Sequence, residues 1–174
     1  MEKLRQRGGE REKNAAIDGY LINQVLFKHM ASISPALEFF IHLSKAKTVL
    51  ARRFDNRLSF NGLGFSDFVI LYHLSQAPGE KMRRVDLAER VGLTASGVTR
   101  MLIPMEKIGL VLRESSDRDA RVAYVTLALG GKRLLSEGME SAEVLSQDLL
   151  PLIQLKKMKE FNEILQQLGS ITVY

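Results

Sequence analysis

Two helical stretches separated only by Gly92-Leu93-Thr94 constrain this chain more than any other feature. Asp86-Leu87-Ala88-Glu89-Arg90-Val91 places Leu87, Ala88 and Val91 on one apolar face of a short helix. Gly92 ends it, because a residue without Cβ takes the left-handed conformation at a helix C-terminus cheaply. Leu93 is expected to plug the turn, and the Thr94 hydroxyl to cap the backbone donors of a second helix over residues 95–108. There Val98, Met101, Leu102 and Met105 recur at spacings of three and four, which buries the second helix against the first. Its other face opens with Ser96, Gly97, Thr99 and Arg100, which are small, hydrogen-bonding or cationic. A helix with that N-terminal end fits a major groove and can read base edges. Gly109 closes it, and strands over 111–114 and 122–127 follow, joined by Ser115-Ser116-Asp117-Arg118-Asp119-Ala120-Arg121. Helix, turn, helix and an arginine-tipped hairpin predict a winged helix-turn-helix with double-stranded DNA as its partner.

The rest of the chain reads as helices. Residues 1–13 mix both charge signs around Gly8-Gly9 and predict a flexible tail, although their basic members could also follow a DNA backbone. Ile17, Leu21 and Val25 predict an amphipathic helix over residues 14–30, weakened by Gly19. Ser34-Pro35 is a start signal for a long helix to about Asn56, with Leu37, Phe40, Ile41, Val49, Leu50 and Phe54 on its apolar stripe. A turn is expected over 59–64, then a compact apolar helix over 65–76 stopped by Pro78-Gly79. Beyond the hairpin, Leu134, Leu135, Met139, Ala142, Leu145 and Leu149 mark a second long helix over 130–150. Pro151 breaks it, and Leu155, Met158, Phe161, Leu165 and Leu168 mark a last helix ending at Gly169.

The expected fold is therefore mainly α with a small β-hairpin wing. The expected organisation is a tail (1–13), N-terminal helices of a dimerisation layer (14–58), a winged helix-turn-helix domain (59–129) and C-terminal dimerisation helices (130–174). Terminal helices of this length have more apolar face than one small central domain can cover, which implies a partner chain.

A formal net charge of +5 suits a polyanionic partner. With no cysteine, the chain has no disulfide, thiolate metal site or cysteine-based oxidant sensor. His29, His42 and His73 lack ligand spacing, and no phosphate loop, nucleophile elbow or carboxylate pair appears, so neither a metal, a cofactor nor an enzyme is expected. The charged N-terminal stretch resembles neither a signal peptide nor an anchor and no later run suits a bilayer, so a cytoplasmic location is expected.

Leu87-Ala88-Glu89-Arg90-Val91-Gly92-Leu93-Thr94, Val98-Thr99-Arg100-Met101-Leu102, Leu110-Val111-Leu112-Arg113 and Asp119-Ala120-Arg121 resemble the MarR family of bacterial and archaeal transcriptional regulators. The resemblance covers roughly residues 37–168 and is most specific over 87–127. It implies a homodimer that buries the terminal helices in a two-fold interface and binds a pseudo-palindromic operator, usually to repress. It further implies a small-molecule effector site on helices that here carry His42 and Tyr72, residues that otherwise read as ordinary packing side chains. By the same resemblance a wing arginine, Arg118 or Arg121, enters or borders the minor groove, and Asp119 braces the second arginine. Many relatives carry proline at Ser115, arginine at Ala120 and a capping threonine at Ala128, so this wing has fewer charges and Gly130-Gly131 predict a looser start to the following helix.

The candidate DNA-binding set is thus Thr94, Ser96, Gly97, Thr99, Arg100, Arg118 and Arg121, with Asp119 in support. Read blandly, these are surface residues and solvated loop charges. Pro104 is either a tolerated kink or a device that aims the N-terminal half of its helix while Met105 and Ile108 stay in the core. The competing function is a winged-helix module for protein–protein interaction without an operator, which the basic readout face disfavours.

Overall fold

The computed structural model describes residues 33–115, 122–150 and 155–170. The tail over 1–13, the helix expected over 14–30, the hairpin tip with Arg118, Asp119 and Arg121, and Pro151 lie outside the described residues. The chain divides into two compact units, residues 1–48 and 49–174.

Helix α1, Pro35–Leu58, starts as the Ser-Pro signal requires: the Ser34 hydroxyl accepts from the Leu37 amide at 3.2 Å. In the first unit its Leu37, Phe40 and Ile41 side chains are about half exposed, a solvent-facing apolar stripe. In the second unit α1 runs to Leu58, fully buried, and a 3-10 turn over Ser59–Asn61 follows. Helix α2, Phe65–Ser75, has no capping side chain of its own; Asp55 of α1 accepts from the Phe65 amide at 2.7 Å instead. Phe68, Ile70, Leu71 and Leu74 are buried, whereas Tyr72 is 40% exposed. Burial, partly offset by a hydrogen bond to the Gly64 backbone, raises the Asp67 carboxyl above its ordinary range.

After a turn at Pro78–Glu80 comes strand β1, Lys81–Arg83, which periodicity did not reveal. Helices α3, Arg84–Arg90, and α4, Ala95–Lys107, are the expected pair, and strands β2, Val111–Ser115, and β3, Ala123–Leu127, the expected hairpin. The sheet has three antiparallel strands in the order β1-β3-β2, with Met82 opposite Val125 and Val111 opposite Leu127. Those four apolar residues are buried and close one side of a single core with Leu71, Leu87, Val98 and Leu102. Helices α5, Leu129–Leu149, and α6, Leu155–Gly169, complete the chain.

Gly130 and Gly131 overturn the expectation of a loose start to α5. A Cβ on Gly131 would stand 2.2 Å from the Leu110 carbonyl oxygen and 2.9 Å from Leu127 Cδ1, and one on Gly130 would stand 2.7 Å from the Gly109 oxygen. The first turn of α5 is pressed on the chain leaving α4, and the Ala128 amide donates to the Leu110 oxygen at 3.0 Å. No side chain caps this end.

A substitution at this contact should therefore be costly. Gly131→Ala must move backbone rather than a flexible side chain, and is expected to destabilise the winged region by about 1–3 kcal/mol, the usual range for overpacking. Thermal unfolding followed by circular dichroism checks this, with Ser136→Ala on the exposed side of α5 as the neutral control.

Candidate nucleic-acid interface

The turn between α3 and α4 is a closed hydrogen-bonded unit. Gly92 has φ +66°, the left-handed conformation expected of it. The Gly92 amide donates to the Glu89 oxygen at 3.1 Å and the Leu93 amide to the Ala88 oxygen at 2.9 Å. That pair of bonds satisfies the last carbonyls of α3 and leaves the chain turning sharply. Leu93 does not plug the turn: it is 42% exposed, and Leu87 and Ala88 fill the space between the helices instead. Thr94 is the cap, its Oγ1 accepting from the Gly97 amide at 3.0 Å. Gly97 acquires a local explanation, since a Cβ there would sit 3.2 Å from that same Oγ1.

Val98, Leu102 and Met105 are at most 2% exposed and fix the inner side of α4. The helix continues through Pro104 to Lys107. Met105 stays in the core as expected, but Ile108 is 66% exposed, because the helix stops at Lys107 and Gly109 redirects the chain so that Leu110 is buried in its place.

Facing outward are Ser96, Arg100, Ile103 and Lys107, all exposed and spaced four, three and four residues apart. Thr94 is exposed beside them, and Gly97 and Thr99 are half-buried. The Thr99 hydroxyl donates to the Ala95 oxygen at 2.7 Å, so it presents lone pairs only. Arg100 has no carboxylate partner among the described residues. The structure thus brings five of the seven sequence-predicted residues to one end of α4; Arg118 and Arg121, with Asp119, lie outside the described residues.

Ile103, Lys107 and Arg84 on this surface escaped the sequence reading. Ile103 is an apolar member of the outward stripe, 40% exposed. Arg84, the first residue of α3, lines an open cleft with Ala95, Ser96, Thr99 and Arg100. Its link to α4 is tertiary and leaves no trace in local spacing.

The base of the wing is braced by ion pairs. Arg113 Nε donates to Glu106 at 2.6 Å, tying β2 to α4, and Lys81 joins β1 to Glu114 on β2. The Lys81 hydrogen bond is the main reason the Glu114 carboxyl lies below its ordinary range. Arg83 holds Asp86 through two bonds of 2.7 and 2.8 Å, which raises the guanidinium's already high pKa. Being exposed, these pairs contribute little stability each.

His42 is exposed in the first unit; Tyr72, in the second, stands edge-on to His73 at 5.6 Å. Burial, with Arg90 nearby, holds His73 below the ordinary imidazole value. No group of three metal-ligating side chains occurs among the described residues, and no helix there is long and apolar enough to cross a membrane.

Helix α4 seated on α3, followed by a sheet hairpin, defines a winged helix-turn-helix protein. The sequence profile of the MarR family matches residues 65–123, from α2 to the start of β3. Among curated relatives, the HTH-type transcriptional repressor Rv2887 of Mycobacterium tuberculosis is 28% identical over 128 residues, covering 74% of this chain and 91% of the relative. The fold is shared with Sco3205 of Streptomyces coelicolor, a MarR family regulator solved in complex with DNA, at a TM-score of 0.68 and 22% identity over 79% of this chain and 89% of that one. It is shared too with CouR of Rhodococcus jostii RHA1 bound to p-coumaroyl-CoA, at 0.72 and 17% identity over 82% and 99%. In sequence over residues 65–123, and in fold more widely, the chain is thus similar to MarR family regulators.

The cap is directly testable. Thr94→Ala removes the acceptor for the Gly97 amide and should cost about 1 kcal/mol. That corresponds to a fall of about 2–4 °C in Tm, and Thr94→Ser should recover most of it in the same melting experiment.

Proposed function

We propose that this chain is a homodimeric, sequence-specific DNA-binding regulator that represses transcription from a pseudo-palindromic operator. The observation that carries the reading is the outward stripe of α4, whose Ser96 and Arg100 stand exposed at a capped helix start. Ser96, Thr99 and Arg100 meet base edges, Thr94 and Gly97 hold the helix start against the groove, and Ile103 suits contact with a thymine methyl. Arg118 and Arg121, with Asp119, serve the adjoining minor groove. Two copies of α4 about 34–36 Å apart enter successive major grooves.

The homodimer is supported by apolar faces that each unit leaves open. In the first, Leu37, Phe40 and Ile41 are about half exposed; on α6, Phe161, Ile164 and Leu165 are 46%, 47% and 37% exposed. Residues 14–58 and 130–174 supply the dimerisation layer around the winged domain of 59–129. A small molecule bound beside that layer, near His42 and Tyr72, would relieve repression by favouring the conformation that does not bind DNA. CouR, with its bound thioester, supports the presence of such a site in this fold. The reading is of a cytoplasmic regulator without enzymatic activity or cofactor. A winged-helix module devoted to protein partners is the poorer reading, since it gives no use to an exposed Arg100 that has no carboxylate partner among the described residues.

Selection of fragments from genomic DNA by the purified protein tests the function. Arg100→Ala should then narrow the preference for the selected fragment over random duplex by about 1–3 kcal/mol, as loss of a bidentate base contact would. Recovery of no preferred fragment would favour the protein-partner module.

The dimer is tested separately by Phe161→Asp with Leu165→Asp, which puts charge where an apolar contact is expected. Sedimentation should show monomers with weak half-site binding. A variant that stays dimeric would place the interface elsewhere.

A further inference from the structure

Arg84 was singled out by no motif, yet its surroundings are unusual. Its Nε is buried and donates to nothing among the described residues. A buried donor without an acceptor is costly, so such groups seldom persist without a use. The nearest carboxylate in sequence, Asp86, is already held by both edges of the neighbouring Arg83 guanidinium. Arg84 has no ion pair among the described residues.

The cleft beside it has a definite chemical character. Arg84 and Arg100 bring two guanidinium groups from two different helices, Ser96 brings a hydroxyl, and no carboxylate lines the space. Thr99 has committed its proton to the Ala95 oxygen, so it forms wall rather than a donor. Two cations and a hydroxyl, open to solvent with no carboxylate among the lining residues, make the cleft electropositive and suit it to a phosphate strand. A guanidinium suits this target, because its planar fork can grip two oxygens at once.

We propose that Arg84 seats one backbone phosphate of the bound DNA at the rim of the cleft it shares with the base-reading Arg100, acting as a positioning residue that sets the depth and register of α4. This rests on the DNA-binding reading given above and deepens it. Arg84 stands on α3, off the outward stripe of α4, so it meets the strand rather than the base edges. Turning toward a phosphate gives its Nε donor the acceptor that the described residues do not provide. Phosphate contacts of this kind orient a reading helix without specifying sequence.

The test uses the full chain, a genomic fragment selected by the wild-type protein, and a random duplex of equal length. R84A should weaken both DNAs alike, by about fivefold to tenfold at moderate salt, and should lower the slope of log affinity against log salt by about 0.9 per half-site. R84K should restore the slope and only part of the affinity, because an ammonium keeps the charge and loses the fork. A scan with single neutral methylphosphonate linkages should find one phosphate per half-site to which the wild type responds and R84A does not. Should R84A melt early, R84M, which retains the apolar stem, is read in the same way. Wild-type affinity and slope in R84A, an identical methylphosphonate profile, or a selective loss on the preferred fragment would each overturn the proposal while leaving the DNA reading intact. A wild-type protein that binds neither DNA would overturn both.

Discussion

Burial of Val98, Leu102 and Met105 fixes the rotation of α4 about its own axis, and the chemistry of the exposed face follows from that one constraint. A helix turns about 100° per residue, so once those three side chains point into the core, Ser96, Arg100, Ile103 and Lys107 must point away. The Gly92 turn and the Thr94 cap then fix where the helix begins. Rotation and start together decide which side chains a partner can meet.

The remaining elements hold that pair of helices in place. Strand β3 lies between β1 and β2, so the hairpin is tied to the segment entering α3 as well as to the segment leaving α4. Gly130 and Gly131 bring α5 onto the backbone of Gly109 and Leu110, where a larger residue would collide. Gly138 does the same further along, leaving room for Leu58, Leu63 and Phe68. A Cβ there would meet only flexible side-chain ends, so that contact is more forgiving than the one at Gly131. The long helix α5 thus packs on the same core from its first turn to Ala142.

Much of this was legible in the chain because it depends on local rules. The three-and-four spacing of Val98, Met101, Leu102 and Met105, the glycine at 92 and the hydroxyl at 94 each act within a few residues, and the structure follows them. What escaped depends on tertiary approach. Strand β1 has three residues and one buried side chain, Met82, too little for any alternation to register. Leu93 and Ile108 are apolar and adjoin turns, but whether they are covered depends on what packs there, and among the described residues they stay 42% and 66% exposed. The glycine pair at 130–131 reads as laxity in sequence and proves to be close packing. Asp55 caps α2 from another helix, and Arg84 meets the start of α4 from α3; neither relation has a sequence signature.

On the proposed function, the outward face of α4 occupies a major groove, twice per dimer. Dimethyl sulfate protection on the selected fragment probes guanine N7, a major-groove atom, without altering the protein. Two patches of protected guanines are expected, related by two-fold symmetry and centred about one helical turn, 10–10.5 base pairs, apart. Guanines that stay fully reactive at saturating protein would contradict that placement of α4, and so would protection confined to a single patch in the presence of a dimer.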